Sequence, residues 1–406
     1  MGLLIKLAWR NIFRNTRRTV LAGLAMGIGL AAMIFTDALI VGMDQSMVRT
    51  ATHTFLGQAQ IHAEGFRATF EVEKTIRDLE RVLRSLDGEA QIKSYALRTQ
   101  AFAMLTSPAD FGTITLFGID PEHEQAVSKI DEALVQGDYI EERGQILVGS
   151  KLAEILTVDL GDRVVVTVAQ AGSGELMQEM FRIRGIFHLN IREMDANMAF
   201  IKLDQAQELL GLGARAHEIA LHFERIAMAG DPSLEFWKRY GQNGNEALGW
   251  KQLVPELDAA LQLSQFSMFM VTLILFGVVA LSTMNTLFMS LYERMFEFGI
   301  LRAVGTRPFR MAALVLFEAG GLALVSIGIG LILGCAVTYY VSLYGIDYIG
   351  IEYGGVTFRE LIYPIIVPGR FIFFPLWVFL FALVASIYPA VFAARIKPAV
   401  AMRRSF

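Results

Sequence analysis

Four long apolar segments constrain this chain more than any other feature of its sequence. Each is long enough for a helix that crosses about 30 Å of hydrocarbon, which takes about 20 residues at a rise of about 1.5 Å per residue. The composition agrees, because 54% of the 406 residues are hydrophobic and only 19% are charged, too apolar a balance for an ordinary soluble protein. The sequence predicts an integral membrane α-helical protein with four transmembrane helices, over residues 19–41, 268–291, 311–341 and 371–394.

The first of these spans follows a basic segment that resembles the start of a signal peptide. No acidic residue precedes it, and its basic residues are Lys6, Arg10, Arg14, Arg17 and Arg18. Its apolar part is too long for the core of a signal peptide, and no small-residue cleavage site follows it. We therefore expect span one to be retained as a membrane anchor.

Basic residues also predict the side of the membrane on which each segment lies. Lys and Arg gather in three segments, with five in residues 1–18, four in residues 292–310 and four in residues 395–406. Because cytoplasmic loops carry an excess of Lys and Arg, these segments are predicted to be cytoplasmic, and both termini with them. The expected order is an amphipathic N-terminal helix (1–18), span one with a stalk (19–44), an extracytoplasmic domain (45–263), span two with a stalk (264–291), a coupling helix (292–310), span three (311–341), an extracytoplasmic loop (342–370), span four (371–395) and a cytoplasmic tail (396–406).

The inserted extracytoplasmic domain is acidic and has no cysteine. Residues 45–263 contain 21 Lys and Arg against 32 Asp and Glu, so their net charge is −11, whereas the whole chain carries −4. An acidic surface argues against nucleic acid as a partner. The single cysteine, Cys335, lies in span three. The domain must therefore be held together by packing, without a disulfide framework.

Residue patterns predict a large mixed α+β domain made of two subdomains. The first is expected to contain strands at 57–63, 91–106 and 111–119 and a helix at 71–86. The second is expected to contain a helix at 150–156, strands at 163–168, 180–187 and 198–202, and a helix capped by Asp204. A hairpin tip is expected at residues 171–174.

The sequence contains none of the common catalytic, phosphate-binding or metal-binding motifs. The six histidines have no Cys, Asp or Glu neighbours at a spacing typical of metal ligands, so no metal site is expected. There is no nucleophile elbow, no phosphate-binding glycine loop and no HExxH helix. We expect a non-catalytic protein with no catalytic residues.

A short charged segment between spans two and three, Tyr292–Pro308, has the pattern of an amphipathic helix. The helix is predicted over residues 291–304, where Phe296, Ile300 and Val304 share one face with Leu301 beside them. Gly305 is suited to end it, Thr306 to cap the next helix and Pro308 to lie in the first turn of that helix. An interfacial helix on anionic lipid is one interpretation. The acids Glu293 and Glu297 fit that interpretation poorly, so docking against another protein is favoured.

The same segment, ERMFEFGILRAVGTRP, is similar to the cytoplasmic coupling segment of MacB- and LolC/LolE-type permeases, the FtsX-like or type VII ABC transporters. Further similar segments are LAWRNIFRNTRRTVL before span one, ILVGSKLAEILTVDLGDRVVV in the outer domain, FEAGGLALVSIGIGLILG in span three and YPAVFAARIKPAVAMR at the exit of span four. The resemblance covers essentially the whole chain. It implies a location in the bacterial inner membrane, with the large domain in the periplasm.

The resemblance also implies partners and a mechanism. Two permease chains, identical or paralogous, would bind two copies of an ABC ATPase, and ATP-driven closure would move the coupling helices, the stalks and the outer domains. Because the chain lacks a Walker motif, the ATPase must be a separate polypeptide, and this chain binds no cofactor while its partner uses ATP and Mg²⁺. The implied coupling residues are Glu293, Arg294, Glu297, Phe298, Gly299, Leu301, Arg302 and Gly305.

Two acidic residues within the spans and one pair of glycines are further candidates. Glu318, in span three, is costly in a membrane unless it is paired, so it either helps to transmit the coupling motion or makes a structural contact between helices. For Asp37, near the outer end of span one, a structural role is favoured because the interface is within reach. Gly23 and Gly27 form a GxxxG pair, as do Gly330 and Gly334. The resemblance makes Gly23 and Gly27 the candidates for the dimer seam.

The family resemblance leaves three functions open. Release of lipoproteins from the inner membrane is preferred, because the chain is a free-standing four-span permease. MacB-like export of peptides or small molecules from the periplasm is the nearest alternative, and FtsX-like activation of a cell-wall hydrolase is another. The hairpin over residues 170–178 has neither a proline nor an aromatic residue at its tip, unlike the hook with which LolC grips a periplasmic chaperone. Gripping of a chaperone by this hairpin is therefore in doubt.

Overall fold

The computed structural model describes residues 2–14, 16–354, 356–358 and 360–396. The chain forms two compact units. We name them the helical unit, which comprises residues 1–45, 261–347 and 361–406, and the sheet unit, which comprises residues 46–260 and 348–360. The expected tail over 396–406 lies outside the described residues except for Ile396.

The helices of the described residues follow in chain order. They are α1 (Gly2–Arg14), α2 (Thr16–Ala51), α3 (Phe66–Thr69), α4 (Leu79–Asp87), α5 (Pro121–Glu124), α6 (Ser150–Leu156), α7 (Arg192–Asn197), α8 (Leu203–Leu209), α9 (Ile226–Ala229), α10 (Glu235–Tyr240), α11 (Trp250–Leu253), α12 (Pro255–Glu293), α13 (Met295–Ala303), α14 (Pro308–Tyr344) and α15 (Arg370–Ala394). A π-helical turn, Thr52–Leu56, follows α2.

The strands are short except for two. They are β1 (Ala59–Ala63), β2 (Ile92–Thr106), β3 (Phe111–Ile119), β4 (Leu134–Gly137), β5 (Gln145–Gly149), β6 (Arg163–Ala169), β7 (Leu176–Phe187), β8 (Met198–Lys202), β9 (Glu218–Phe223), β10 (Asn245–Gly249), β11 (Glu352–Tyr353) and β12 (Val356–Thr357).

Four helices of the described residues are long and apolar enough to cross a membrane, as the sequence predicts. They are α2 from Thr19 onwards, α12, α14 and α15. Two of them run further than the expected spans with their stalks, because α2 continues to Ala51 and α12 begins at Pro255. The expected boundary between residues 18 and 19 falls inside α2, which begins at Thr16.

The helical unit is held together by two apolar clusters. One joins α2, α12, α14 and α15 through Met26, Val279, Leu322 and Ala382 among others. The other joins the ends of α12, α14 and α15 to α1 and α13, and its members are Ala8, Leu287, Leu291, Phe298, Met311, Leu314, Val315, Ala319, Ala390, Ala393 and Ile396. The second cluster fixes α1 and α13 against the three long helices.

The sheet unit is built around a closed ring of six strands. In order around the ring the strands are β2, β3, β8, β5, β7 and β6, and β6 pairs back with β2. The interior is filled by alternate side chains of these strands, such as Leu105, Val166 and Phe181, and helices α6 and α8 add Leu152 and Leu209. Closure leaves the ring with no free edge between these strands.

Strand β2 is shared between this ring and a second, open sheet. Its first half pairs with β9, which continues the order to β1 and β10, whereas its second half pairs with β6. The boundary between the two expected subdomains is therefore not where the sequence predicts it. Strands β2 and β3, predicted for the first subdomain, belong to the ring because the 15 residues of β2 are long enough to serve both sheets.

Three local predictions for the sheet unit need correction. The helix expected at 71–86 begins only at Leu79, because the backbone of Ile76 bonds to Ala216 instead of following a helical path. Helix α8 begins at Leu203, so Asp204 lies in its first turn and does not cap it. The loop expected over 342–370 contains the β11–β12 hairpin, and its residues 348–360 belong to the sheet unit.

Candidate functional site

The segment between α12 and α14 folds as a short helix bounded by two sharp turns. Helix α12 ends at Glu293, Arg294 leaves helical geometry at φ −109° and ψ 18°, and α13 begins at Met295. The predicted helix over 291–304 is thus divided at Arg294. Gly305 has φ +93°, a left-handed conformation that glycine adopts without strain. As predicted, Pro308 lies in the first turn of α14, but Arg307 and not Thr306 occupies the capping position.

Helix α13 has one covered side and one uncovered side. Phe298 and Gly299 are buried, and Phe298 packs into the apolar cluster at this end of the helical unit. The other side is apolar yet exposed, and Val304 reaches 82% exposure. Its members are Phe296, Ile300, Leu301 and Val304, which we call the α13 apolar face.

A chain of hydrogen-bonded charges ties α13 to α1 and α14. Arg294 donates to Glu318 of α14 at 2.6 Å and to Glu297 of α13 at 2.9 Å. Glu318 also accepts a bond of 2.6 Å from Asn11, and Glu297 accepts one of 2.7 Å from Arg14. These five residues, which we call the Glu318 network, connect three helices and the α12–α13 turn.

The charges of the Glu318 network balance, with two arginines and two carboxylates. The Arg294 and Glu318 side chains are only 13% and 7% exposed, so each needs the other to offset the cost of burial. Burial alone would raise the pKa of Glu297, but hydrogen bonds from Arg294 and Arg14 outweigh it and hold that pKa below its usual value. Burial likewise opposes the charge on Arg294, yet Glu318 and Glu297 raise its pKa. Arg294 and Glu297 are therefore charged at neutral pH.

The remaining predicted coupling residues lie around this network. Glu293 is exposed at the end of α12, and Leu301 belongs to the α13 apolar face. Arg302 donates to the carbonyl of Thr306 at 3.0 Å, which closes the turn around Gly305. The structure thus brings Arg294, Glu297 and Glu318 together, whereas the predicted set treats Glu318 separately.

Two members of the network, Asn11 and Arg14, are missing from the predicted site. A usable signal exists in the sequence, because Asn11 lies three residues after the buried Ala8 and so on nearly the same side of α1. A polar residue on the covered side of a helix needs a partner. Sequence alone could not identify that partner, which lies 307 residues away along the chain.

The other acid predicted within the spans, Asp37, is also paired. It is buried and forms an ion pair with Arg370, the first residue of α15. The pair joins α2 to α15 at the end of the bundle opposite to the Glu318 network. The structural role that the sequence favours for Asp37 stays a prediction.

The two predicted glycine pairs face one another within the chain. A Cβ on Gly27 would lie 2.9 Å from Ile329 of α14, and one on Gly330 would lie 2.8 Å from the carbonyl oxygen of Gly27. Gly23 faces Ile329 at 3.3 Å in the same way. The side of α2 that carries Gly23 and Gly27 is thus covered by α14. The two helices can approach closely there because glycine has no side chain. A dimer seam on α2 would have to use another side.

A second buried charge cluster lies in the sheet unit, and it is not among the residues predicted from the sequence. Arg98 of β2 is fully buried and donates to Glu124, Glu218 and the carbonyl of Phe55. Its guanidinium lies 3.9 Å from the centre of the Phe55 ring. Phe55 belongs to the π-helical turn that ends α2, so Arg98 anchors that turn to the sheet.

The chemistry of the described residues offers no metal centre, since they contain no group of three or more His, Cys, Asp or Glu side chains that could hold an ion. Several histidines are buried instead. Burial lowers the pKa of His62 to about 3, with a contribution from Arg67. It lowers the pKa of His222 to about 4. These rings are neutral structural groups at neutral pH.

The fold defines a class of protein: a four-span membrane protein with a large α+β unit between its first and second spans. Residues 19–227, just over half of the chain, match the MacB-like periplasmic core domain, and residues 268–398 match the FtsX-like permease C-terminal domain. The chain belongs to the family of FtsX-like ABC transporter permeases with a MacB-like periplasmic core.

Several known proteins are similar to this chain. The lipoprotein-releasing system transmembrane protein LolE of Haemophilus influenzae is 22% identical, with 97% of each chain covered. The corresponding LolC protein of Neisseria meningitidis is 21% identical, with 94% of this chain and 92% of that protein covered. The solved periplasmic region of MacB from Actinobacillus actinomycetemcomitans is 13% identical with a TM-score of 0.36, covering 52% of this chain and 95% of that structure. Such relatives are permease subunits, which implies an ATPase partner and a place in the inner membrane.

Proposed function

We propose that this chain transmits ATP-driven motion from a separate ABC ATPase to a periplasmic sheet unit, and that the motion serves lipoprotein release from the inner membrane. The observation that carries the first part is the two-sided character of α13. Its inner side is fixed to the helical unit by Phe298 and by the Glu318 network, while the α13 apolar face is exposed among the residues that the structure describes. In this proposal the uncovered side docks on the ATPase.

The Glu318 network links such a docked helix to α1 and α14. A force on α13 would pass through Arg294 to Glu318 of α14 and through Glu297 to Arg14 of α1. The Arg294–Glu318 pair has low exposure, so it holds its geometry better than an exposed ion pair such as Arg14–Glu297 does. In this proposal both termini are cytoplasmic, the partner ATPase uses ATP and Mg²⁺, and this chain binds no cofactor.

Helix α2 is the proposed route from the bundle to the sheet unit. It is continuous over 36 residues, and the π-helical turn that follows it is anchored by Arg98. Replacement of that anchor by a flexible linker would let α2 move without moving the strands. The buried cluster of Arg98, Glu124 and Glu218 is therefore proposed as the rigid coupling at this end.

The cargo is proposed from the relatives, whose names describe lipoprotein release. The β6–β7 hairpin does not favour a gripping role in this chain. Its tip is bonded to the body of the sheet unit, with Ala171 N donating to the carbonyl of Leu210 at 2.9 Å and Gly172 N donating to Glu73 at 3.1 Å. A chaperone or the lipoprotein would therefore contact another surface, or the second permease chain of a homo- or heterodimer would supply the hook.

The docking proposal is tested by a matched pair of substitutions. Val304→Ser removes apolar surface from the α13 apolar face, and Val135→Ser makes the same change at another exposed valine, on β4 of the sheet unit. Co-purification of the ATPase should fall at least fivefold for the first and stay unchanged for the second. Equal recovery of the ATPase with both variants would contradict the proposal.

The cargo proposal needs a separate measurement. Depletion of the protein should leave lipoproteins in the inner membrane if release is its function. Normal lipoprotein sorting, together with accumulation of a peptide or small molecule in the periplasm, would instead indicate MacB-like export. Normal sorting with a defect in cell-wall hydrolysis would indicate FtsX-like activation.

A further inference from the structure

An apolar groove runs along α14 on the side that faces α1 and α15. Its volume is about 660 Å³, and the described residues that line it include Trp9 of α1, Ala313 and Gly320 of α14, and Phe379 and Leu383 of α15. Gly320 and Gly321 line it without adding side chains to it. Apart from the ring N–H of Trp9, the lining side chains carry no polar group.

The dimensions of the groove suit an acyl chain. Lining residues of α14 extend from Phe309 to Leu324, which corresponds to about 22 Å at a rise of about 1.5 Å per residue. One leaflet contributes about 15 Å, half of a hydrocarbon core of about 30 Å. A chain of full leaflet length can therefore lie along the groove. The volume also falls within the range of about 300–1,000 Å³ that is typical of ligand sites.

A basic side chain marks one end of this groove. Arg310 follows Phe309 at the start of α14 and precedes Ala313 and Phe317 by three and seven residues, so it lies on the same side of the helix. It is exposed, and it makes no salt bridge with the residues that the structure describes. Trp9, whose ring is suited to the headgroup level, also lines the groove.

We propose that this groove binds an anionic phospholipid, with one acyl chain over Gly320 and the phosphate at Arg310. Basic groups at the end of an apolar crevice between transmembrane helices are the recognised pattern for such lipids. The bound lipid would pack against α1 and α14 on the side opposite to the Asn11–Glu318 bond. The proposal depends on the four helices being in a membrane, but it does not depend on the cargo.

Fluorescence of Trp9 tests the proposal in the full-length protein. Trp377 is replaced by Phe, since it is the other tryptophan of the helical unit, and the protein is reconstituted in phosphatidylcholine vesicles. Brominated phosphatidylglycerol should half-quench the Trp9 signal at a mole fraction at least threefold lower than brominated phosphatidylcholine. The signal is isolated by subtracting the Trp9→Phe variant.

Two variants and one control separate the site from general lipid contact. Gly320→Leu should fill the groove and remove the threefold preference, and Arg310→Gln should remove the preference while chain contact persists. Gly328→Leu is the matched control, because a Cβ at Gly328 meets nothing within 4 Å and this residue does not line the groove. Equal quenching by both lipids in the parent, or equal effects of the leucine substitutions, would overturn the proposal.

Discussion

Replacing Glu318 by glutamine should uncouple ATP hydrolysis from the sheet unit while leaving the chain folded. Glutamine keeps the volume and an acceptor for Asn11 and Arg294, both of which lie 2.6 Å from a Glu318 oxygen, but it removes the charge. Bonds to a charged group contribute about 1.5–3 kcal/mol, roughly twice a neutral bond. Loss of the ionic part should therefore cost about 1–2 kcal/mol.

The size of this pairwise effect can be isolated with a double-mutant cycle. Glu318→Gln, Arg294→Gln and the double variant are compared by unfolding in mixed detergent micelles, and the coupling energy should be about 1–2 kcal/mol. In the complex with the ATPase, each single variant should also lower the transmitted response, measured as the change in distance between spin labels on the sheet unit on ATP addition.

Asp37→Asn is the matched control for this cycle. It removes the other acidic charge within the spans, at the Asp37–Arg370 pair, so it should destabilise the bundle to a similar degree without reducing the ATP-dependent response. A coupling energy below about 0.5 kcal/mol, the usual error of additivity, would refute the reasoning. So would a full ATP-dependent response in Glu318→Gln.

Three further predictions concern the buried groups and the helix seam. Arg98→Met should destabilise the sheet unit by about 3–5 kcal/mol in thermal or denaturant unfolding, because it leaves two buried carboxylates without their cation. The sheet unit should lose stability as the pH falls below about 6.5, because His62 and His222 are protonated in the unfolded chain but have a pKa of about 3 and about 4 when folded. At pH 4.5 the loss should be about 2.5 kcal/mol for each. The slope of unfolding free energy against pH should decrease in His62→Gln. Gly27→Leu should disrupt the packing of α2 on α14, where even a Cβ would come within 2.9 Å of Ile329, whereas Gly328→Leu should be tolerated in the same thermal unfolding assay.

The sequence predicts the elements of this fold better than their partners. The four spans, helix α6, strand β8 and the left-handed Gly305 follow from apolar length, periodicity and residue conformation, which are local properties. The closed ring does not follow, because the pairing of β6 with β2 joins residues about sixty positions apart. No local pattern encodes which strand closes a ring.

The candidate site shows the same division between local and distant information. The amphipathic pattern around Phe296 and Ile300 predicts a helix with an apolar side, and the structure leaves that side exposed. The partners of Glu318 could not be predicted, since one lies on α1 and the other at the α12–α13 turn. The glycine pairs are a similar case, because a GxxxG pattern indicates close approach without naming the partner helix.

The central claim is that the exposed side of α13 docks on a nucleotide-hydrolysing protein in the cytoplasm. A single cysteine at position 304, introduced as Val304→Cys in a Cys335→Ser background, can be tested with a bifunctional crosslinker in intact and in opened cells. The account predicts a crosslink to the ATPase and no labelling of intact cells by a membrane-impermeant maleimide. Labelling from outside the inner membrane, or the absence of any crosslink to an ATPase, would contradict it.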